Sequence, residues 1–89
     1  MLESKSYIAV PPGATIKEQL EDRGMTQNDF SERMGMSETT IGKLMNGEVH
    51  LTPDIAEKIE LVLGVPAGFW NKLESIYREK LVKVKQENK

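Results

Sequence analysis

Eighty-nine residues with no cysteine, one histidine and a net charge of −2 are enough for one small domain, and they exclude disulfides and thiolate metal sites. No apolar run approaches the roughly 20 residues that cross a bilayer, and the polar N-terminus MLESKSYIAV, with Glu3 early in it, does not read as a signal peptide, so the expected location is the cytoplasm. The charge is uneven: residues 1–71 hold six Lys/Arg against eleven Asp/Glu, a net of −5, and residues 72–89 hold six against three, a net of +3, which is not the strongly basic signature of a nucleic-acid binder.

Residues 1–12 read as an N-terminal arm with a short extended piece at Tyr7-Ile8-Ala9-Val10, and no other strand stands out. Pro11-Pro12-Gly13 breaks regular structure and sets a start point. The pattern ATIKEQLEDRG predicts a helix from about Thr15 to Arg23, with Ile16 and Leu20 on one face and Gly24 as its stop. Thr26 with Asp29 three places on resembles a capping box. It opens a second helix, Gln27 to Met34, that buries Phe30 and Met34 and ends at Gly35. Ser37 caps a third helix through about Asn46, with Ile41, Leu44 and Met45 inward and Gly47 as the stop. After a loop, Thr52-Pro53-Asp54 supplies a cap, a proline at the first helical position and an acid in the first turn. Ile55, Ile59, Val62 and Leu63 form the apolar face of that fourth helix. Pro66 starts a fifth, with Phe69, Trp70, Leu73, Ile76, Tyr77, Leu81 and Val84 as its apolar residues. The result is an all-α, five-helix domain over residues 13–78, with a charged helical tail at 79–89 extending the last helix.

The second and third helices carry the requirements of a helix-turn-helix. Ser31 is small where the helices cross, Gly35 tolerates the positive φ of the turn, and Phe30, Met34, Met36, Ile41 and Leu44 sit where anchors of the inter-helix angle belong. At about 100° per residue from Ile41, the outward face of the third helix carries Thr39, Lys43 and Asn46, flanked by Thr40 and Gly42, with Glu38 in the first turn. That face is polar and short-chained, as a helix lying in a major groove requires.

With those residues in place, 15–64 resemble the Cro/C1-type (XRE) helix-turn-helix family through the skeleton TQ…G…S…TI…NG. PPGATIKEQLEDRGMTQ, NGEVHLTPDIAEKIELVLG and FWNKLESIY look, more narrowly, like HigA-type (VapI-like) antitoxins of toxin–antitoxin modules. The resemblance covers about residues 11–78. It implies a lambda-repressor-like fold and a repressor that binds double-stranded operator DNA, as a homodimer, and neutralises a toxin, often an RNase. Residue by residue it places Gln27 on a phosphate, Ser37, Glu38, Thr39, Thr40 and Lys43 at the recognition helix, and Asn46 on phosphate or as a brace for the next loop. Glu38 serves the helix dipole equally well, and Asn46 an ordinary C-cap. Similar segments also precede a metallopeptidase-like domain in longer regulators, so two alternatives stay open: the DNA-binding segment of such a regulator, or a mainly toxin-binding protein module.

The remaining residues read more plainly. Arg33 belongs to a solvated helix face, the methionines to the core, and His50 to a loop without a His-Glu-x-x-His pattern. No nucleophile stands beside a partner base, so nothing selects an enzyme, and no metal or cofactor is implied. The stripe Trp70, Leu73, Tyr77, Leu81, Val84 is too long for a small domain to cover, and its exposed end is expected to meet a dimer partner or another domain.

Overall fold

The computed structural model describes residues 2–3 and 8–87. Five helices follow one another: α1 (Pro12–Arg23), α2 (Gln27–Met34), α3 (Glu38–Met45), α4 (Pro53–Leu63) and α5 (Ala67–Glu87). Before them, β1 (Leu2–Glu3) and β2 (Ile8–Ala9) pair antiparallel, Leu2 opposite Ala9 and Glu3 opposite Ile8. None of the described helices is long and apolar enough to cross a membrane.

Local chemistry accounts for most helix boundaries. Thr26 Oγ1 accepts from the Asp29 amide at 3.0 Å while Asp29 Oδ2 accepts from the Thr26 amide at 3.3 Å, which completes the capping box. Ser37 and Thr52 cap α3 and α4 through Thr40 N and Ile55 N. Each such cap contributes about 1 kcal/mol. The expected stops at Gly24, Gly35 and Gly64 all adopt left-handed geometry. Two starts differ from the sequence expectation. α1 begins at Pro12 rather than near Thr15, because the fixed φ of proline suits a first helical turn whose N–H groups need no partner. α5 begins at Ala67 rather than Pro66, and its first amide is taken by a distant carboxylate: Glu60 Oε1 of α4 accepts from Ala67 N at 2.6 Å.

Each helix gives the core one large side chain with no exposure at all: Ile16, Phe30, Ile41, Ile59 and Trp70. Burying a side chain of this size contributes about 1.5–3 kcal/mol. Trp70 satisfies its indole N–H on the Val65 carbonyl at 3.2 Å. Leu20, Met34, Leu44, Leu51, Ala56 and Leu63 complete this cluster.

A second, smaller cluster joins Ala9 of the arm to Tyr77 and Val84 of α5, with Leu81 against it. This corrects the expected partner stripe. Trp70 lies in the main core, Tyr77 and Val84 are buried beneath the chain's own N-terminal strand, and Leu73 and Leu81 are half-buried. The physical reason is the arm: β2 packs along α5 and covers a face that the helices alone would leave open. Phe69 and Ile76, also among the apolar residues of this helix, are 45% and 43% exposed.

One contact sets the spacing of α1 and α3. A β-carbon on Gly13 would fall 1.9 Å from the Met45 carbonyl oxygen, so only glycine lets the start of α1 lie against the last turn of α3. Gly42 differs, since a β-carbon there meets only Gln27 Nε2, at an ordinary 3.5 Å. Gly13→Ala is therefore expected to destabilise the fold by about 2–3 kcal/mol through backbone displacement. Gly42→Ala is expected to stabilise it by about 0.5–1 kcal/mol through helix propensity. Urea unfolding of the two variants beside wild type checks the opposite signs.

Candidate nucleic-acid interface

The α2–turn–α3 unit rests on a short set of backbone and side-chain bonds. Gly35 turns the chain at φ 66° and ψ 32°, and the Met36 amide donates back to the Ser31 carbonyl at 3.0 Å. Ser31 is buried at the crossing, as its size requires, and its hydroxyl donates to the Asn28 carbonyl at 2.8 Å instead of being left unsatisfied. Ile41 and Leu44 then anchor α3 to the core from its inner side.

The outer side of α3 carries Glu38, Thr39, Lys43 and Asn46, all exposed, with Thr40 half-buried beside them. Ser37 is committed to the cap: its Oγ accepts from Thr40 N at 3.1 Å and donates to Thr40 Oγ1 at 2.9 Å. The Thr40 hydroxyl keeps its own proton to donate outward. Asn46 is the C-cap of α3, and its amide nitrogen reaches Glu48 Oε2 at 3.5 Å, the long limit of a hydrogen bond. Glu38 occupies the first turn, where its charge favours the helix dipole. Arg33 lies on the exposed side of α2 and His50 in the exposed loop after α3.

Gln27, the first residue of α2, is brought to α3 by the turn, with its side-chain amide lying over Gly42. The two line one open groove of about 680 Å³ between α1 and α3, together with Asn46, Lys17 and Glu21. Gln27 and Asn46 thus line one groove, while Thr39, Thr40 and Lys43 lie on α3, the helix that Asn46 caps. Lys17 was not picked out from the sequence. It follows the inward Ile16 on α1, and only the packing of α1 on α3 puts it in the groove with Gln27 and Asn46.

Chemically, this surface offers hydroxyls, amides and ammonium groups, with the carboxylates of Glu21 and Glu38 beside them. Among the described residues no group of His, Cys, Asp and Glu could hold a metal ion.

Comparison with known proteins agrees with this geometry. The helix-turn-helix family model matches residues 16–70. An uncharacterised HTH-type transcriptional regulator of Escherichia coli, YddM, is 29% identical over 66 residues, which span 74% of this chain and 70% of that protein. Among solved structures, an addiction module antidote protein of the HigA family from Coxiella burnetii superposes with a TM-score of 0.78 at 23% identity, covering 86% of this chain and 85% of its own. A protein from Nostoc punctiforme, described as a candidate antidote protein of a plasmid maintenance system, gives 0.79 at 27% identity, covering 92% and 88%. The matched family is the helix-turn-helix, and the relative named above is a transcriptional regulator of that type. The chain belongs to the helix-turn-helix family of the Cro/C1 type, with the five-helix, lambda-repressor-like fold seen in two antidote proteins, one of the HigA family.

Proposed function

We propose that this protein is a sequence-specific transcriptional repressor that binds operator DNA as a homodimer and serves as the antitoxin and autoregulator of a toxin–antitoxin module. The observation that carries the DNA reading is the outer face of α3, polar, exposed and free of large apolar side chains along Thr39, Lys43 and Asn46. Thr39 and Thr40 hydrogen-bond base edges or touch a thymine methyl, and Lys43 reaches guanine O6/N7 or a phosphate. Gln27 and Lys17, from either side of the groove, take the adjoining backbone phosphates. Glu38, in the first turn of α3, accepts from cytosine N4.

The acidity of residues 1–71 shapes how such binding works. Phosphate neutralisation supplies most non-specific affinity, and one copy brings little of it. Two copies on a two-fold axis set their recognition helices about 34 Å apart, one turn of DNA, on a palindromic site. The partner face, with Trp70, Tyr77 and Val84 buried in the protomer, falls to Ile76 and Phe69 of α5 with Val10. Val10, Pro11, Pro12, Leu73 and Ile76 line a mainly apolar groove of about 220 Å³ beside α1.

Support for the antitoxin role comes from the fold shared with two antidote proteins, one of the HigA family. The surplus of acids in residues 1–71 suits a basic RNase toxin electrostatically.

Four outcomes are expected. Lys43→Ala and Thr39→Ala each weaken binding to a duplex selected from a randomised pool by about 1–3 kcal/mol, as fluorescence anisotropy would measure; undiminished binding in both variants sinks the recognition-helix assignment. With Lys17 and Lys43 as the phosphate-facing cations of each copy, the slope of log affinity against log salt stays at about 4 or less in magnitude. Ile76→Glu turns a dimer into a monomer by light scattering, and a monomeric wild type removes the dimer from the proposal. Co-expression with a small basic protein from the adjacent gene gives a stable complex on purification, and failure to co-purify counts against the antitoxin role.

A further inference from the structure

The loop after the recognition helix is held from below by one side chain of α5. Arg78 donates through its terminal nitrogen to the carbonyl oxygens of Gly47 and Val49, at 3.3 and 3.2 Å, and through Nε to Glu74 Oε2 at 2.6 Å. Its guanidinium also lies 4.9 Å from the centre of the Tyr77 ring. Glu74, only 9% exposed, is a buried carboxylate whose charge Arg78 answers, with His50 Nδ1 at 3.3 Å on the same oxygen. The neighbouring Tyr77 touches the same loop: a β-carbon on Gly47, whose φ is +77°, would fall 2.7 Å from the Tyr77 hydroxyl. Two consecutive residues of α5 thus meet the glycine that closes α3.

The loop's own bonds run back into the recognition helix. The Gly47 amide donates to Leu44 O at 3.1 Å and the Glu48 amide to Lys43 O at 2.9 Å. Those acceptors sit at Lys43 and Leu44, where the outward contact residue and the inward anchor of α3 lie side by side. Arg78, though remote from the outer face of α3, therefore fixes the loop whose hydrogen bonds terminate that helix.

We propose that Arg78, seated by Glu74 and Tyr77, is a positioning residue for DNA recognition: it clamps the Gly47–Val49 backbone to α5 and so fixes the end of α3 that presents Lys43 and Asn46. This rests on the operator-binding reading above. A guanidinium is suited to the task because its planar fork donates in several fixed directions at once, which an ammonium on a flexible stem does not reproduce. Charge-assisted hydrogen bonds to partly buried carbonyls are also among the stronger ones available.

The test compares Arg78→Lys and Arg78→Ala with wild type in the full chain, by amide hydrogen exchange and by binding to two duplexes. One duplex is that enriched by the wild-type protein from a randomised pool; the other is a scrambled duplex of equal length. Both variants are expected to speed exchange at Gly47 and Glu48 about tenfold with little change at Ile59 in the core. Both should also weaken binding to the enriched duplex about tenfold while leaving the scrambled one nearly unchanged. Unchanged exchange at both amides overturns the clamp. Full recovery of binding in Arg78→Lys overturns it too, since Arg78 would then act by charge alone. A wild-type protein that enriches no duplex overturns the DNA reading instead, and the exchange rates still decide whether Arg78 holds the loop.

Discussion

The backbone of Gly13 pressed on the Met45 carbonyl is the contact on which the rest of the arrangement turns. It fixes how closely the start of α1 approaches the end of α3, and the groove lined by Lys17, Gln27 and Asn46 runs beside it. With α1 on one flank and the Ser31 crossing on the other, α3 has little freedom to tilt. Its inner residues Ile41 and Leu44 are fully engaged, and its outer row is left to solvent. The division of labour along eight residues of α3 is thus a packing result first and a functional one second.

Acidity and recognition are reconciled by geometry rather than by charge. A protein that cannot rely on counterion release must place hydrogen-bonding groups accurately, because misplacement is not compensated by long-range attraction. The structure devotes several interactions to that accuracy. Ser37 caps α3 at one end, Arg78 and Tyr77 meet the loop at the other, and Arg23 ties α1 to α4 through the Leu63 carbonyl at 2.7 Å. These are short-range, mostly backbone-directed bonds, and they hold elements in register without adding positive charge to the outer face of α3.

The helix order and the helix-turn-helix were legible because their signals are local. Thr26 with Asp29, Ser37, and Thr52-Pro53 are caps whose chemistry acts within one turn, and Gly35 declares a left-handed turn wherever it occurs in such a pattern. What escaped is tertiary. Periodicity puts Trp70, Tyr77 and Val84 on one stripe of α5 but says nothing of what lies over it, so a buried face looked like a free one. Nor does it separate Phe69 and Ile76, which share the helix's apolar count yet are exposed. Lys17 and Arg78 carried no motif at all. The first gains its place from α1 lying on α3, the second from bonds to backbone carbonyls 29 and 31 residues away in sequence. Backbone acceptors leave no mark on residue type, so no reading of side chains alone finds them.

The union of Ala9 with Tyr77 and Val84 ties the arm to the second half of α5. α1 to α4 meet mainly through elements near in sequence, whereas the arm closes a loop nearly as long as the molecule. Non-local contacts of this kind form late, since the entropy of closure is lost before the contact contributes. During synthesis the four leading helices have emerged while the arm still lacks its seat, and Ala9 finds it only when the end of α5 leaves the ribosome. The order of synthesis is therefore not the order of assembly: Ala9 is made before α5 and seated after it.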